Sequence, residues 1–214
     1  NFYFSRISFD TKNIKKNNIF FAIKGNKFDG NNFISNAINK GSKIIVTEKK
    51  VNHVQNGILY IHTKNIRKLL AKTAFKIYNK KPKNLIAVTG TNGKSSVADF
   101  YYQILNLNNK KVASIGTLGV KSKNFKINLS NTTIDPVKLS KILSNLKKQR
   151  VDNVIIEASS HGLAQGRLNE IDFKAGIFTN FSQDHLDYHK NMKNYFLHIL
   201  WNLCINLCKR VHYF

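Results

Sequence analysis

Residues 87–96 read Ala-Val-Thr-Gly-Thr-Asn-Gly-Lys-Ser-Ser, and this stretch decides the fold that the sequence predicts. The apolar run at residues 85–88 is typical of a buried strand, and residues 96–105 carry apolar side chains at helical spacing. Gly90 and Gly93 allow a tight turn between them, in which amide N–H groups and the helix N-terminus face an anion. The stretch therefore predicts a strand, a phosphate-binding turn and a helix.

The residues of this turn suit a nucleotide phosphate site. Lys94 would reach the terminal phosphates, and the Ser95 hydroxyl is placed to bind Mg²⁺. The full P-loop pattern also places a glycine at position 88, where this chain has Val88. A glycine turn between a strand and a helix can also be only a turn, so the motif alone leaves both interpretations open.

Composition limits the classes of function that fit the chain. Its 214 residues carry a formal net charge of +24, with Lys and Asn spread over almost every segment. Such a charge can indicate nucleic-acid binding, but dispersed lysines lack the clustered footprint of that class. We therefore expect anionic small-molecule ligands and no nucleic acid, and keep a nucleic-acid-binding module as an alternative.

The cysteine content and the hydropathy pattern point to a compartment. The two cysteines, Cys204 and Cys208, provide no disulfide framework and suit a reducing compartment. No signal peptide or membrane-spanning segment is recognisable in the sequence. We expect a cytoplasmic protein that does not bind a membrane.

Strand and helix patterns alternate along the chain. The first half predicts strands at residues 18–23, 43–47 and 58–62 and helices at 31–40 and 66–78, including one βαβ unit. The second half predicts strands at residues 85–88, 111–115, 152–157 and 175–179, helices at 96–105 and 136–150, and a loop over 116–136. This alternation favours mostly parallel α/β sheets with ligands at the carboxyl ends of the strands.

A break in the pattern at residues 79–83 predicts a domain boundary near residue 83. The predicted organisation is a small N-terminal α/β domain at residues 1–83, an incomplete α/β P-loop domain at 84–196, and a tail at 197–214.

Polar residues follow two of the predicted strands. Glu157 ends one strand, and a carboxylate at that edge can hold Mg²⁺ through its oxygens. The next strand is followed by a dense polar group, Asp184, His185, Asp187 and His189. Each of these residues is also typical of a surface or capping position, and their shared place at strand ends is what favours a functional role.

Several motifs in one order resemble the Mur ligase family. They read Gly-Thr-Asn-Gly-Lys-Ser at 90–95, Ile-Gly-Thr-Leu-Gly at 115–119, Asn-Thr-Thr at 131–133, Glu-Ala-Ser-Ser-His-Gly-Leu at 157–163 with Gln165 and Arg167, and Thr-Asn-Phe-Ser-Gln-Asp-His-Leu-Asp-Tyr-His at 179–189. Residues 10–14, 19–25 and 28–30 resemble the family's nucleotide-sugar-binding domain. The resemblance covers residues 9–196, and Val88 does not count against it, since this family lacks that first glycine.

Within the family, the motifs are most similar to the branch that adds the third residue of the peptidoglycan stem peptide. The resemblance implies an ATP-dependent amide ligation with ATP and Mg²⁺ as cofactors. A carboxylate of UDP-MurNAc-L-Ala-D-Glu would attack the γ-phosphate, and the amine of a diamino acid would displace the resulting acyl phosphate. Catalysis would consist mostly of positioning and charge neutralisation, in a protein expected to be a monomer.

The resemblance also implies roles for individual residues. Lys94, Glu157 and His185 would be catalytic, Ser95 and Glu157 would bind one magnesium ion, and His185 would bind a second. The ATP-binding residues would be Gly90, Thr91, Asn92, Gly93, Lys94, Ser95 and Ser96. The UDP portion would lie against Phe9, Thr11, Asn26, Lys27 and Phe28, and the muramoyl peptide against Asn131, Thr132, Thr133, Ser159, Gln165 and Arg167. Loop capping is the alternative role for Ser159 and Gln165.

The chain departs from the family pattern at its C-terminal end. A lysine that is carbamylated in the family falls at about Ile199 here, and residues 194–208 contain no lysine. The tail holds the only Trp and both Cys, and it reads as a shifted reading frame, with a buried helix over 196–208 as the alternative.

We therefore expect a truncated, inactive product of a ligase gene. The alternatives are a non-catalytic ATP- or UDP-sugar-binding remnant and a different ligase with the same core, such as another Mur ligase or a folylpolyglutamate synthase. The sequence leaves open whether the diamino acid is meso-diaminopimelate or lysine.

Overall fold

The chain is described here by a computed structural model that covers residue 4 and residues 6–25, 28–123, 125–129, 131–199 and 211–213. It divides into two compact units, Asn1–Ala74 and Phe75–Phe214.

The first unit is a five-stranded sheet with strand order β1-β2-β3-β5-β4. Its elements are β1 (Arg6–Ser8), β2 (Asn18–Phe21), α1 (Ile34–Asn39), β3 (Ile44–Thr47), β4 (Val54–Gln55), β5 (Ile58–His62) and the first part of α2 (Ile66–Ile77). All pairs are parallel except β4 with β5. Phe20, Ile45 and Ala37 form its core, so α1 packs on the sheet.

The predicted βαβ unit is confirmed as β2-α1-β3. The predicted helix at 31–40 begins as a 3₁₀ turn at Gly30–Phe33, because the Asp29 carboxylate accepts the Asn31 N–H and caps that turn. The strands β1 and β4 were not predicted, since they are only three and two residues long.

The second unit is a seven-stranded sheet with strand order β12-β11-β6-β10-β7-β8-β9. Its strands are β6 (Asn84–Thr89), β7 (Val112–Gly116), β8 (Gly119–Ser122), β9 (Phe125–Ile127), β10 (Asn153–Glu157), β11 (Ala175–Phe178) and β12 (Val211–Tyr213). Its helices are α3 (Lys94–Leu107), α4 (Pro136–Lys148), α5 (Ser160–Ala164), α6 (Leu186–His189) and α7 (Met192–Phe196). The β7-β8 and β8-β9 pairs are antiparallel and the others parallel, so the predicted mostly parallel α/β class is confirmed.

Helices cover both faces of this sheet. On one face, Ala87 and Ile156 pack with Leu139 and Leu143 of α4. On the other face, Val88 and Ile155 pack with Ala98 of α3. Because successive strand residues point to opposite faces, an uninterrupted apolar strand is what a sheet covered on both sides requires.

The predicted loop over 116–136 is wrong in part, because β8 and β9 form a hairpin there. Gly119, at φ +90°, starts β8, and the ideal position of a Cβ there lies 2.2 Å from the Ile127 carbonyl oxygen. The two strands are short and carry Lys121, Lys123 and Lys126 around the turn, so they lack the apolar alternation that indicates a strand.

The division between the units falls ahead of the predicted boundary at residue 83. Phe75, in the last turns of α2, is 5% exposed and belongs to the core of the second unit. The compact units do not test where the domains divide, so the domain boundary near residue 83 stays a prediction.

Most of the predicted tail lies outside the described residues. Within the described part, Ile199 is fully buried, and β12 pairs with β11 in parallel. Among the residues that the structure describes, no helix is both long enough and apolar enough to span a membrane.

Candidate nucleotide and magnesium site

The phosphate turn lies at the carboxyl end of β6, between the ends of β10 and β11. Val88 is paired in register with Glu157 on one side and Ile177 on the other. Val88 is itself fully buried inside the strand, so the position that holds the first glycine of a full P-loop belongs here to the sheet core. The turn proper consists of residues 90–93.

Gly90 is required by a close approach of the neighbouring chain. Its φ is +134°, and a Cβ at this position would lie 2.1 Å from the Thr179 hydroxyl oxygen. A side chain at position 90 would therefore push β6 away from the segment that follows β11. The sequence prediction that Gly90 shapes the turn is explained by this packing as well as by its φ.

Lys94 opens α3 and folds back over the turn. Its Nζ donates to the carbonyl oxygens of Gly90 and Thr91, at 2.7 Å each. Burial lowers the pKa of Lys94, while the nearby carboxylates of Glu157 and Asp184 act in the opposite direction. The turn thus holds an ammonium group close to the N–H groups at the start of a helix, which is a favourable place for a polyanion.

Glu157 is the buried carboxylate of the site, with only 2% of its surface exposed. Its Oε2 accepts from the Ser95 hydroxyl at 2.9 Å and from the Thr117 hydroxyl at 3.0 Å, and its Oε1 accepts from the Thr117 N–H at 3.0 Å. Gly116 is needed here, because a Cβ would lie 2.0 Å from Oε1. The structure therefore brings together Ser95 and Glu157, two of the three predicted magnesium ligands.

This pair of oxygen donors fits magnesium. Mg²⁺ is usually held by one or two protein groups together with substrate phosphates and water, rather than by an all-protein cage. No group of three or more His, Cys, Asp or Glu residues arranged for a metal occurs within the described ranges. The donor set at Ser95 and Glu157 thus suits a cation that arrives with a nucleotide.

His185 lies in a cluster of rings beyond β11. It is the left-handed residue ahead of α6, with φ +52°, and its Nε2 lies 3.4 Å from Asp184 Oδ2. Its ring meets that of His161 edge-on at 4.8 Å between centroids. Burial, followed by the charge of His185, lowers the pKa of His161.

His189 is the buried histidine among the described rings of this cluster. It packs against Tyr188, Tyr195 and His198, with centroids 4.9, 5.1 and 5.2 Å away. Neither ring nitrogen has a hydrogen-bond partner among the described residues. Burial, then the neighbouring His198, lowers the pKa of His189 to about 4.

Four of the predicted muramoyl-peptide residues, Thr133, Ser159, Gln165 and Arg167, form one hydrogen-bonded group. The buried Thr133 hydroxyl donates to the Glu157 carbonyl oxygen at 2.8 Å and accepts the Ser159 N–H at 2.8 Å. The Arg167 guanidinium donates to Gln165 Oε1 and to the Thr133 carbonyl oxygen. The group therefore ties the loop before α4 to the end of β10.

Other members of the predicted peptide site have placements of their own. The Ser159 hydroxyl caps α5 by accepting the Gly162 N–H at 3.2 Å, which is the alternative role considered for it. The Thr132 hydroxyl lies 3.0 Å from that of Thr117, and Asn131 is exposed in the same loop.

The predicted UDP-contacting residues lie in the first unit. Thr11 begins a 3₁₀ turn capped by Asp10, and its carbonyl oxygen accepts Lys40 Nζ at 2.8 Å. Phe9 is 38% exposed and Phe28 71% exposed, the latter edge-on to Phe33 at 6.4 Å. Asn26 and Lys27 lie outside the described residues.

Sequence reasoning did not assign several residues that surround the site. Thr117 holds Glu157, while Thr179, Asn180, Ser182 and Tyr195 contact the phosphate turn. Their position in the sequence could have indicated this role, because Thr117 and Asn180 each stand just after a predicted strand.

Comparisons with known proteins agree with this architecture. Residues 88–200 match the family described as "Mur ligase middle domain", and residues 4–88 match the one described as "Mur ligase family, catalytic domain". A curated protein of Rickettsia conorii, UDP-N-acetylmuramoyl-L-alanyl-D-glutamate--2,6-diaminopimelate ligase, is 46% identical over 196 residues, which is 89% of this chain. The protein of the same name from Wigglesworthia glossinidia brevipalpis is 41% identical over 88% of the chain. The chain spans 40% of the length of each of these relatives.

Solved structures show the same fold. A structure of a UDP-N-acetylmuramoyl-L-alanyl-D-glutamate--2,6-diaminopimelate ligase matches with a TM-score of 0.83 and 27% identity, covering 98% of this chain and 43% of that one. A MurF ligase from Thermotoga maritima in complex with ADP matches with a TM-score of 0.60 over 96% of this chain and 45% of that one, at 19% identity, which supports the fold alone.

Proposed function

Because the chain belongs to the Mur ligase family, we propose that it supplies the UDP-sugar half-site and the ATP half-site of a ligase that joins a diamino acid to UDP-MurNAc-L-Ala-D-Glu. The observation that carries the proposal is the phosphate turn, with Lys94 over it and Ser95 against the buried Glu157. The names of the relatives support 2,6-diaminopimelate as the diamino acid.

In this proposal each residue of the ATP half-site binds or orients. The N–H groups at the start of α3 and Lys94 hold the phosphates, with Lys94 exchanging its two carbonyl contacts for phosphate oxygens. Ser95 and Glu157 would hold Mg²⁺, which supplies charge neutralisation for the phosphoryl group that is transferred. His185, which lies in the ring cluster, would bind a second magnesium ion.

The muramoyl peptide would contact Asn131, Thr132 and Arg167. Arg167 suits a carboxylate, because its planar fork makes two charged hydrogen bonds. Its contact with Gln165 holds that fork in one orientation. Thr133 and Ser159 would act by shaping this surface, since their hydroxyls are engaged with backbone groups.

A first experiment measures calorimetric binding of Mg·ATP and of UDP-MurNAc-L-Ala-D-Glu to the purified 214-residue chain. We expect Lys94→Ala to weaken Mg·ATP at least about tenfold and Arg167→Ala to weaken the UDP compound by a similar factor. Lys138→Ala is the matched control, because Lys138 is an exposed lysine of α4. A folded wild-type chain that binds neither compound would contradict the proposal.

A second candidate function is binding without ligation. Ile199 is apolar and fully buried at the position where the family resemblance expects the carbamylated lysine. We expect the purified 214-residue chain to form no amide product from ATP, UDP-MurNAc-L-Ala-D-Glu and diaminopimelate. Chromatographic detection of the tripeptide product would contradict this candidate. The reducing compartment indicated by the cysteine content supports the cytoplasm as its location.

A further inference from the structure

We infer that Asn180 is a positioning residue that fixes the phosphate turn in shape before a nucleotide arrives. The inference rests on the proposed function, because it concerns the same ATP half-site. Asn180 stands in the segment that joins β11 to α6 and is not part of the turn itself.

The Asn180 side chain forms hydrogen bonds with both the N–H and the carbonyl group of one turn residue, Asn92. Its Oδ1 accepts the Asn92 N–H at 2.9 Å, and its Nδ2 donates to the Asn92 carbonyl oxygen at 3.1 Å. Its own carbonyl oxygen accepts the Thr91 N–H at 3.0 Å. Two successive residues of the turn are therefore hydrogen-bonded through their backbone to one residue of the neighbouring segment.

These bonds divide the N–H groups of the turn into two sets. The N–H groups of Thr91 and Asn92 point to Asn180, so they serve the shape of the turn. The N–H groups of the first helical turn, from Lys94 onward, have no acceptor within the helix and are the ones that can face a phosphate. Thr91 and Asn92, predicted as ATP-binding residues, would thus act by holding the turn.

Residues next to Asn180 also bind the turn. The Thr179 hydroxyl donates to the Asn92 carbonyl oxygen at 2.6 Å. The Thr91 hydroxyl exchanges hydrogen bonds with the backbone of Ser182, at 3.1 and 3.0 Å, and lies 3.1 Å from the Tyr195 hydroxyl. The same segment therefore holds the turn at two consecutive residues, Thr91 and Asn92.

External support matters because the turn is intrinsically loose. Gly90 and Gly93 both have positive φ, and glycine loses more conformational freedom on ordering than any other residue. A turn ordered only by its ligand would lose that freedom during binding, which weakens affinity. Holding the turn in the unliganded chain removes this loss.

The test compares Asn180→Ala with Asn145→Ala, a control at an exposed asparagine of α4. The first readout is hydrogen exchange of the Asn92 amide by NMR in the chain without nucleotide, and the second is the Kd for Mg·ADP. We expect Asn180→Ala to speed Asn92 exchange and raise the Kd about tenfold each, since two hydrogen bonds are lost. The melting temperature should stay close to that of the control.

Asn180→Asp is the conservative variant. Its carboxylate keeps an acceptor for the Asn92 N–H and lacks the donor, so Asn92 exchange in the unliganded chain should stay slow. Fast exchange in Asn180→Asp, or unchanged exchange and Kd in Asn180→Ala, would overturn the inference. A general rise in exchange across the second unit would also overturn it, because that indicates a merely structural role.

The experiment distinguishes failure of the proposed function from failure of the inference about Asn180. A wild-type chain that does not bind Mg·ADP contradicts the proposed function, whereas the Asn92 exchange rates, measured without nucleotide, still decide whether Asn180 holds the turn.

Discussion

Glu157 shows how hydrogen bonds can satisfy a carboxylate that is buried beside a phosphate site. Two hydroxyls and one N–H satisfy its oxygens, and Lys94 is near enough to interact with it electrostatically. A buried charge is tolerated only when its hydrogen bonds are made. The orientation of this carboxylate therefore depends on Thr117, which makes two of those bonds.

Removing the Thr117 hydroxyl tests that dependence. Thr117→Val keeps the backbone N–H bond to Oε1 and loses the bond to Oε2, so we expect Mn²⁺·ADP affinity to fall about fivefold, the equivalent of one hydrogen bond. Metal-free ADP affinity should not change. Thr117→Ser, which keeps the hydroxyl, is the control, and equal Mn²⁺·ADP affinity in all three chains, measured by calorimetry, would refute the role of Thr117.

The lowered pKa of His189 predicts how the free energy of unfolding changes with pH. Its pKa is about 4 in the folded chain and near the ordinary value of 6.5 when unfolded. Between these values the unfolded chain binds more protons, so stability is full above pH 6.5 and falls as the pH drops toward 4. The charges facing this ring are those of His198, His161, His185 and Asp187. The loss is at most about 3 kcal/mol.

His189→Phe should remove most of this dependence, because neither ring nitrogen has a partner among the described residues. Urea unfolding at pH 7 and pH 5 should show a smaller difference for the variant than for wild type. His62→Asn, at an exposed position of β5, is the control and should retain the wild-type difference. A variant that loses as much stability as wild type would contradict the assignment.

At the scale of elements, α3 and β8 are linked by one ion pair. Lys121 Nζ lies 2.7 Å from Asp99 Oδ1 and 4.6 Å from the centre of the Tyr102 ring. The hydrogen bond from Lys121 lowers the pKa of Asp99. Both side chains are partly exposed, so solvent screens the pair and its contribution is small.

Asp99→Asn should therefore lower the free energy of unfolding at pH 7 by less than about 1 kcal/mol. Since the pKa of Asp99 is lowered in the folded chain, its contribution is present above the usual value of 3.8 and is lost as the pH falls below it. Urea unfolding at pH 7 and pH 3 measures both parts. A difference between wild type and variant that grows at pH 3 would show that the ion pair is not its cause.

The strands that sequence reasoning found are the ones with uniform apolar runs. β6 and β10 were predictable because both faces of their sheet are covered, so Leu85, Val88 and Ile155 need no alternation. The β8-β9 hairpin was missed because its strands carry lysines and gain their place from pairing with β7. Short strands at a sheet edge depend on tertiary pairing more than on local pattern.

The candidate site was also predictable only in part. Ser95 and Glu157 follow strand or turn signals and meet in the structure. The contact of Asn180 with Asn92 depends on the parallel register that sets Phe178 beside Thr89, and a single sequence does not encode that register locally.

At the scale of the whole molecule, the main feature is the large positive net charge of +24. The chain has 35 Lys and Arg against 11 Asp and Glu, and these residues are dispersed rather than gathered in one stripe. A field of this sign attracts anions in general and adds little specificity. Binding of duplex DNA should therefore be weak and controlled by salt, in contrast to nucleotide binding in the phosphate turn.

Fluorescence anisotropy with a labelled random duplex checks this expectation. Raising the salt from about 50 mM to about 200 mM should abolish DNA binding, because released counterions drive it. The Kd for Mg·ADP should change far less over the same range. Tight DNA binding at the higher salt, without binding of the UDP compound, would favour the nucleic-acid-binding alternative.

Ile199 also bears on which substitutions this part of the chain tolerates. It is fully buried, and an ammonium in the same space would be deprived of water, at a cost of several kcal/mol. A protein of ordinary stability has little more than that to lose. A lysine at this position would therefore leave the second unit poorly folded unless other substitutions opened the space first. Packing at one residue thus limits which side chains the position tolerates.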